Sequence, residues 1–593
     1  MSDTTFVNRS LPLIDAEWLN EVNDHVHHDT LADGRTHLHD AEKLSYTQAG
    51  TGASTTSVQS KLRESVSVTD FGAVDGAADN LTAFVNALGA AAGKRLVIPA
   101  GTYRIPFTGT TALTAPANVS IVGDGRDVVE LIFEPSSTTE RNAFAIPNVG
   151  FSLSGVTITL DVPAGGTCIV FAPTESGMTI EDCDIDGGCT SVGSSISHIA
   201  HGVKMPASGT VNDITLHGNK FHRLRYPFLK ANTSTCTNRR IRVVDCEFTG
   251  NYNEDLSFNS PSGVCDSVVV QGCHFHDGAG IAASVNQLQA AFASVSNFVV
   301  SGNTFTGDVL DAIHIEENSI NWSVSGNTID IDGNGIFIIE NNVAGSYTTP
   351  VNGAIVGNAL YKAGTQKEVG KHGIWIADGA GTSTLVALQR SVIANNTVLG
   401  FDSGIVCDGT LDDTVSIFGN TAENCNSGIF APYLNLLVNG NITSNCGVGI
   451  NASFGGCVQG HTFINCTVAA TCGTERPLSL INPAWTFTEF ALSAGVHTYK
   501  SLCELLANAR VYGLLNISEW CEVVADSWTE SLEVTWTGVA LTATSKVSYE
   551  PGAVTVAVVM DSDDLAIDLL CATARTTVRL EVKLNGMASI TDA

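Results

Sequence analysis

The chain is predicted to be an all-β solenoid of the parallel β-helix class, and three features of the sequence predict it. An apolar run ending in Gly-Asn recurs between about residue 115 and residue 475. Most copies are followed by a loop and then by Gly-Ile flanked by alternating hydrophobics. The units lie roughly 20 to 38 residues apart and hold short period-2 strands with no convincing helix, which marks a β-solenoid rather than a helical array.

The first half of the unit reads Ile214-Thr-Leu-His-Gly-Asn219, Phe298-Val-Val-Ser-Gly-Asn303, Trp322-Ser-Val-Ser-Gly-Asn327, Val415-Ser-Ile-Phe-Gly-Asn420 and Leu436-Leu-Val-Asn-Gly-Asn441. Cys183, Cys246 and Cys273 fall in the same slot after Asp182, Asp245 and Gly272. The second half reads Asp311-Ala-Ile-His-Ile315, Asn334-Gly-Ile-Phe-Ile338, His372-Gly-Ile-Trp-Ile376, Ser403-Gly-Ile-Val-Cys407, Ser427-Gly-Ile-Phe-Ala431 and Val448-Gly-Ile-Asn-Ala452. Stacked coils lie about 4.7–4.9 Å apart, so one slot in successive units becomes a column. The Asn and Cys slots are therefore expected to form inward ladders that satisfy neighbouring backbone groups.

Residues 1–60 have a different character. A short amphipathic stretch, Asp15-Ala-Glu-Trp-Leu-Asn-Glu-Val22, is followed by a His-rich segment and a Gly/Ser/Thr-rich run from Ala49 to Thr56, the pattern of a small anchoring module and linker. Residues 61–110 carry a helix expected over Leu81 to Ala92, capped by Asp79 or Asn80, then a strand-turn from Arg95 to Arg104. A short helix at this point can plug the open end of a solenoid. The repeats occupy 111–478, and in 479–593 they give way to alternating runs such as Val554 to Met560, read as a separate β-rich domain.

The formal charge of −31 argues against nucleic acid and against an anionic membrane surface as partners. No apolar stretch is long enough to span a bilayer, and Met1 to Asp15 lack a basic segment followed by an apolar one, so folding in a cytoplasm is expected. The cysteines include Cys425, Cys446 and Cys466 at about one coil's spacing, and no Cys-x-x-Cys pair occurs. Buried reduced thiols are expected, and neither a metal nor a cofactor. Among the N-terminal histidines, His25, His27, His28, His37 and His39, two His-x-His pairs would give a trimer six imidazoles; solvated or interface roles are the expectation.

The run from Gln48 through Ser65-Val-Ser-Val-Thr-Asp-Phe-Gly-Ala-Val74, with Asp79-Asn80 and Ile98-Pro-Ala-Gly-Thr-Tyr103, closely resembles the lead-in segment of bacteriophage tailspikes with a pectate-lyase-like β-helix. Ala16-Glu-Trp-Leu-Asn-Glu-Val-Asn23 looks like the virion-attachment end of the same proteins. The resemblance covers about the first 105 residues; the coils match by architecture alone. It implies a right-handed β-helix and a homotrimer attached to the phage tail through its N-terminus. It further implies a protein that binds, and usually cleaves, a bacterial surface polysaccharide, with a C-terminal end that serves trimerisation or glycan contact.

In the Gly-Ile-x-Ile strand the residue between the two Ile faces outward. That column is expected to read Ser257, Ala282, His314, Phe337, Trp375 and Val406, with a dent where Gly278-Ala-Gly-Ile-Ala-Ala283 offers only small residues. Glu254 and Asp255 lie on one side of the dent, and Asp308, Asp311, His314 and Glu316 on the other. Two coil steps set facing carboxylates about 9–10 Å apart, near the ~6.5–9.5 Å of inverting glycosidases rather than the ~5–5.5 Å of retaining ones. The candidate catalytic residues are thus Glu254 or Asp255 with Asp311 or Glu316, and Asp308 as a same-coil alternative. His276, His314, Phe337, Glu340, Trp375 and Asp378 are candidate sugar contacts, because pyranose faces pack on rings and carboxylates bind hydroxyls.

Three functions remain open on sequence: hydrolase, polysaccharide lyase and non-catalytic adhesin. β-Elimination needs a cation and a base, yet no Arg occurs between Arg242 and Arg390 and no Lys between Lys230 and Lys362. There is also no Gly-His-Gly and no Arg-Ile-Lys. Hydrolysis of a neutral or weakly charged glycan is the expectation.

Overall fold

The structure is a computed structural model. It describes the backbone from residue 45 onward except 48, 50, 193–194, 279–286, 344–345, 378–385, 409, 412–414, 432–436, 453–455, 473–477 and short stretches between 482 and 593. Side chains are described as far as residue 467, apart from those stretches and the strand residues flanking them. The N-terminal histidines lie outside the described residues.

Two compact units divide the chain, 1–66 and 67–593. In the first, the strands Ser45–Thr47 and Thr55–Ser57 pair antiparallel and lead into the helix Val58–Leu62, whose first turn is capped by the Ser57 hydroxyl. The second opens on the short 3-10 helix Val68–Phe71 and then the helix Leu81–Ala90, two residues shorter than expected. Asp79 caps it by accepting from the Leu81 amide at 2.8 Å, while Asn80 turns away to bond Val74. The helix buries Ala83, Phe84, Ala87 and Leu88, with Phe84 edge-on to Tyr103.

Three strands make each coil. In one, Val295–Ser301, Thr304–Gly307 and Asp311–Glu316 each pair in parallel with the equivalent strands of the coils before and after. The first two are joined by a tight corner in which Gly302 takes φ +63° and Asn303 points inward. The Asn303 amide nitrogen donates to Asn327 Oδ1 at 2.9 Å and to the Val270 carbonyl at 3.1 Å. The same bonds run on through Asn327, Asn358, Asn396, Asn420 and Asn441. This is the expected ladder, and it exists because each buried amide meets the backbone groups that the corner leaves unpaired, at roughly 1–3 kcal/mol for each group otherwise orphaned. Cys183, Cys246 and Cys273 take the slot in earlier coils, and the described cysteines are free thiols.

The bore is filled by stacked like residues. Phe221, Phe248, Phe275 and Phe305 stack at centroid spacings of 5.4, 4.7 and 4.6 Å. Ile313, Ile336, Ile374, Ile405 and Ile429 form another column, each at most 1 % exposed. Fully burying such a side chain contributes about 1.5–3 kcal/mol, so one coil's inward set outweighs its outward one and the outer face is free to vary.

The third strands make one sheet of 14, from Thr111–Thr114 to Val468–Cys472. Leu478–Ile481 and Ala484–Leu492 still pair in parallel with the coil before, and antiparallel pairing enters with Arg575–Ile590, which bonds to both of them and to Ala509–Cys521. Among the described residues no helix is long and apolar enough to cross a membrane.

Candidate functional site

Two parallel columns run down the outer face of the 14-strand sheet. The first, read from strand register, is Lys204, Leu229, Ser257, Ala291, His314, Phe337, Trp375 and Val406. Ala291 occupies the place expected for Ala282, because the strand of that coil is Leu288–Ala293. The expected dent at Gly278 to Ala283 falls largely outside the described residues, but a small side chain does sit between Ser257 and His314.

Three residues upstream in each strand lies a second column, at the corner where the strand begins. It pairs His201 with Tyr226, and Leu288 with Asp311 and Asn334; continuing the register of Leu256 with Phe228 and Ala290 by two residues brings Glu254 between Tyr226 and Leu288. Glu254 and Asp311 thus share one column, two coils apart.

A bend in the chain separates Glu254 from Asp255. Asp255 takes the register position that is Gly335, Gly373 and Gly404 in later coils. A Cβ on those glycines would strike bore side chains such as Leu360 and Val398, so this position points inward. Asp255 is accordingly 8 % exposed and accepts a 2.8 Å bond from Asn251 Nδ2. Burial raises its pKa to about 8 against the opposing effect of that bond. The expectation that Asp255 faces the groove is corrected: simple alternation fails at the corner, and Asp255 is an interior carboxylic acid.

Glu254 is half-buried, and its surroundings shift its titration upward. Burial raises its pKa, the negative charge of Glu316 adds to the rise, and a hydrogen bond from Ser257 and the charge of His314 oppose it. Across Ala291, His314 Nδ1 meets Asp311 Oδ2 at 2.9 Å and its Nε2 meets Glu316 Oε2 at 3.6 Å. Burial pulls the imidazole down, but the hydrogen bonds and charges of the two carboxylates reverse this and raise it to about 9. His314 is therefore an imidazolium at neutral pH. Asp311 is 1 % exposed and also accepts from Asn334 Nδ2 at 2.8 Å, whereas the Glu316 side chain is 21 % exposed. The arrangement sets a carboxyl whose pKa is raised by burial beside a histidine paired with two further carboxylates.

Aromatic rings continue the line downstream. His314 and Phe337 meet edge to face at 4.9 Å, and Phe337 and Trp375 lie 4.6 Å apart. Trp375 Nε1 donates to Asp408 Oδ2 at 2.7 Å, and the His372 ring packs edge-on to the indole at 4.9 Å. Each ring is half-buried, leaving apolar surface toward solvent. Asp408 was missed by sequence reasoning because it lies one coil on, past the Ser403–Cys407 strand, with no motif of its own.

Other candidates are placed elsewhere. His276 lies on His274–His276, which pairs with Glu247–Thr249 and Thr304–Gly307 on another face of the solenoid, and it bonds Asp277 and Glu247 there. It is not beside the acids. Glu340 is wholly buried past the end of Asn334–Ile339, so it does not face the groove as a sugar contact. Asp308 is exposed on the turn before Asp311, and nothing pairs it with Asp311 as a same-coil couple among the described residues. Asp378 lies outside the described residues. Among those residues no group of three or more His, Cys, Asp or Glu is arranged to hold a metal ion.

Residues 148–329, which contain the acid group, match the family model described as right handed beta helix region. The chain is a right-handed parallel β-solenoid. Among solved structures it is similar to the tailspike protein of E. coli bacteriophage HK620 in complex with a pentasaccharide. That match has 12 % identity over 92 % of this chain and 98 % of that one, at a TM-score of 0.48. It is also similar to the A-module of the Azotobacter vinelandii mannuronan C-5 epimerase AlgE6, with 15 % identity over 69 % of this chain and 97 % of that one, at a TM-score of 0.33. No curated protein matches by sequence. At these identities the likeness is one of fold and transfers no residue role.

Proposed function

We propose that this chain is a phage tailspike that binds a bacterial surface polysaccharide and cleaves it by inverting glycoside hydrolysis. The observation that carries the reading is the pair of opposed acid groups, Glu254 on one side of Ala291 and Asp311, His314 and Glu316 on the other, in line with Phe337 and Trp375. The tailspike-like lead-in segment from Gln48 to Tyr103 supports it.

In this reading the sugar chain lies along the solenoid axis, one face on the Phe337 and Trp375 rings. Glu254, whose pKa is raised by burial and by the charge of Glu316, acts as the general acid and gives a proton to the glycosidic oxygen as the bond to the anomeric carbon breaks. Glu316, the exposed carboxylate of the other group, takes a proton from a water that attacks the opposite face of that carbon. Glu254 and the Asp311–Glu316 strand stand two coil steps apart, about 9–10 Å along the axis, with Glu316 at the far end of that strand, which leaves room for water and bond together. Asp311 fixes the ring orientation of His314, which sets its Nε2 3.6 Å from Glu316. Lyase chemistry is less well served: burial raises the pKa of Tyr226, the phenol nearest Glu254, which disfavours the phenolate a base would need.

The same reading assigns residues 1–60 to virion attachment and 479–593 to trimerisation or glycan contact, in a homotrimer made in the host cytoplasm and carried on the virion. Incubation with purified host polysaccharide tests it. Reducing ends with inverted anomeric configuration are expected; an unsaturated, ultraviolet-absorbing product would make it a lyase, and intact polymer an adhesin.

A further inference from the structure

The groove does not stop at Glu254. The corner column continues upstream as Tyr226 and His201, and the outer column as Leu229 and Lys204. Tyr226 and His201 lie ring over ring at 5.5 Å, the Arg225 guanidinium lies over the Tyr226 ring at 5.5 Å, and the Asn253 amide bonds the Tyr226 hydroxyl. Leu229 gives this flank an apolar wall, half-buried like Tyr226.

This flank differs in charge from the sheet strands downstream. The eight sheet strands from Leu256–Asn259 to Val448–Ala452 contain no Lys or Arg. Upstream, burial lowers the His201 pKa to about 3, and the nearby charges of Lys204 and Arg225 act in the same direction. Lys204 is engaged by Glu140, but among the described residues no carboxylate lies within salt-bridge distance of Arg225. His201 is 6 % exposed, and its Nδ1 has no hydrogen-bond partner among the described residues. A half-buried guanidinium with unused donors, an orphaned imidazole nitrogen and an aromatic face make a recognition set for a sugar that carries negative charge.

Resting on the functional reading above, we propose that Arg225, Tyr226, His201, Asn253 and Lys204 form a subsite for an anionic sugar, one bearing a carboxylate or a phosphate. Its ring packs on Tyr226 and its anion meets Arg225. The cut then falls between an acidic sugar on the Tyr226 side and a neutral one on the Phe337 and Trp375 side. Cations at one end only of an acid-lined groove, Arg225 and the Glu140-bound Lys204, select a polymer with an isolated negative charge per repeat and set its direction along the axis. A densely anionic chain would place further charges against Asp311, Glu316 and Asp408, where they are repelled.

The test uses the full-length chain on purified capsular and O-antigen polysaccharides, each in native, carboxyl-reduced and dephosphorylated form. One of the two treatments is expected to weaken binding at least about tenfold, the effect of one lost charge-assisted contact, and to identify the anion. Arg225→Gln should bind the native polymer as weakly as the unaltered chain binds the treated one, and Arg225→Lys should recover part of the loss. The chemical treatments need no variant, so a misfolded Arg225→Gln leaves the test intact. Affinity unchanged by both treatments, or cleavage of a polymer without acidic sugars, overturns the subsite and leaves the hydrolase reading standing. Binding to no polysaccharide overturns the reading beneath it.

Discussion

The asparagine ladder and the outer corner column are both polar stacks at a bend of the same coil, yet one is uniform and the other is not. From Asn303 to Asn441 every rung is the same amide making the same bonds at 2.9 Å. The other column reads His201, Tyr226, Glu254, Leu288, Asp311, Asn334, His372 and Ser403. A buried position that must satisfy backbone groups tolerates one solution and repeats it. A position whose backbone is already satisfied by the strands can change charge from coil to coil, and those changes create a field. Uniformity marks structure here, and irregularity marks where the proposed chemistry is sought.

The sharpest way to break this comparison is to neutralise one rung of the irregular column. Glu254→Gln should reduce reducing-end release by about 10²–10⁴-fold while polysaccharide affinity and thermal midpoint stay near those of the unaltered chain; unimpaired turnover would sink the proposed acid. One rung of the uniform ladder should behave in the opposite way. Asn358→Ala removes an amide that bonds Val324, Asn327 and Asn396, and should cost about 3 kcal/mol of stability, seen as a lower denaturation midpoint with turnover per folded molecule unchanged.

Smaller effects sharpen it further. Trp375→Ala should weaken binding about tenfold through the lost ring face, measured by titration with polysaccharide fragments, with less effect on turnover at saturation. Asp255→Asn should leave turnover within about twofold, since the acid beside Glu254 points inward. The folded pKa of Asp255, about 8, lies above the ordinary carboxylate value, so the stability tied to its protonated form is full in acid and lost as pH rises through 8. An amide at this position does not ionise and avoids that loss, so the thermal midpoint of Asp255→Asn should exceed that of the unaltered chain at pH of about 9. His314 follows the same direction for another reason. Its raised pKa means that the ion pairs with Asp311 and Glu316 are fully present below about 6.5, the free imidazole value, and are lost as pH rises through about 9.

The solenoid was legible because its rules repeat. The Gly-Asn slot located the inward ladder and the Gly-Ile slot located the 14-strand sheet. The site was legible where Gly-Ile persisted, at His314, Phe337 and Trp375, and was misread where it lapsed. Leu288-Gln-Ala-Ala-Phe-Ala293 has neither motif, so its coil was sought about ten residues too early, where the gap in Gly-Ile falls. Glu254 and Asp255 were not separable, because a corner that turns one residue inward has no signature in alternation. His276 was avoidable: Gly272-Cys273 is the ladder slot, and the strand just after that slot is the second of its coil, away from the groove. Arg225 and Tyr226 escaped because Arg225-Tyr-Pro-Phe-Leu-Lys230 lacks the Gly-Ile cue altogether.

Parallel register has a consequence for how such a groove can change. Because each coil is bonded to its neighbours in register, the axial distance between two groups on the face comes only in whole steps of about 4.8 Å. One step between acids suits a retaining mechanism and two suit an inverting one. In the proposed reading stereochemistry is therefore counted in coils: gaining or losing a single turn between Glu254 and the strand that carries Glu316 would switch it, while drift in side-chain size would not.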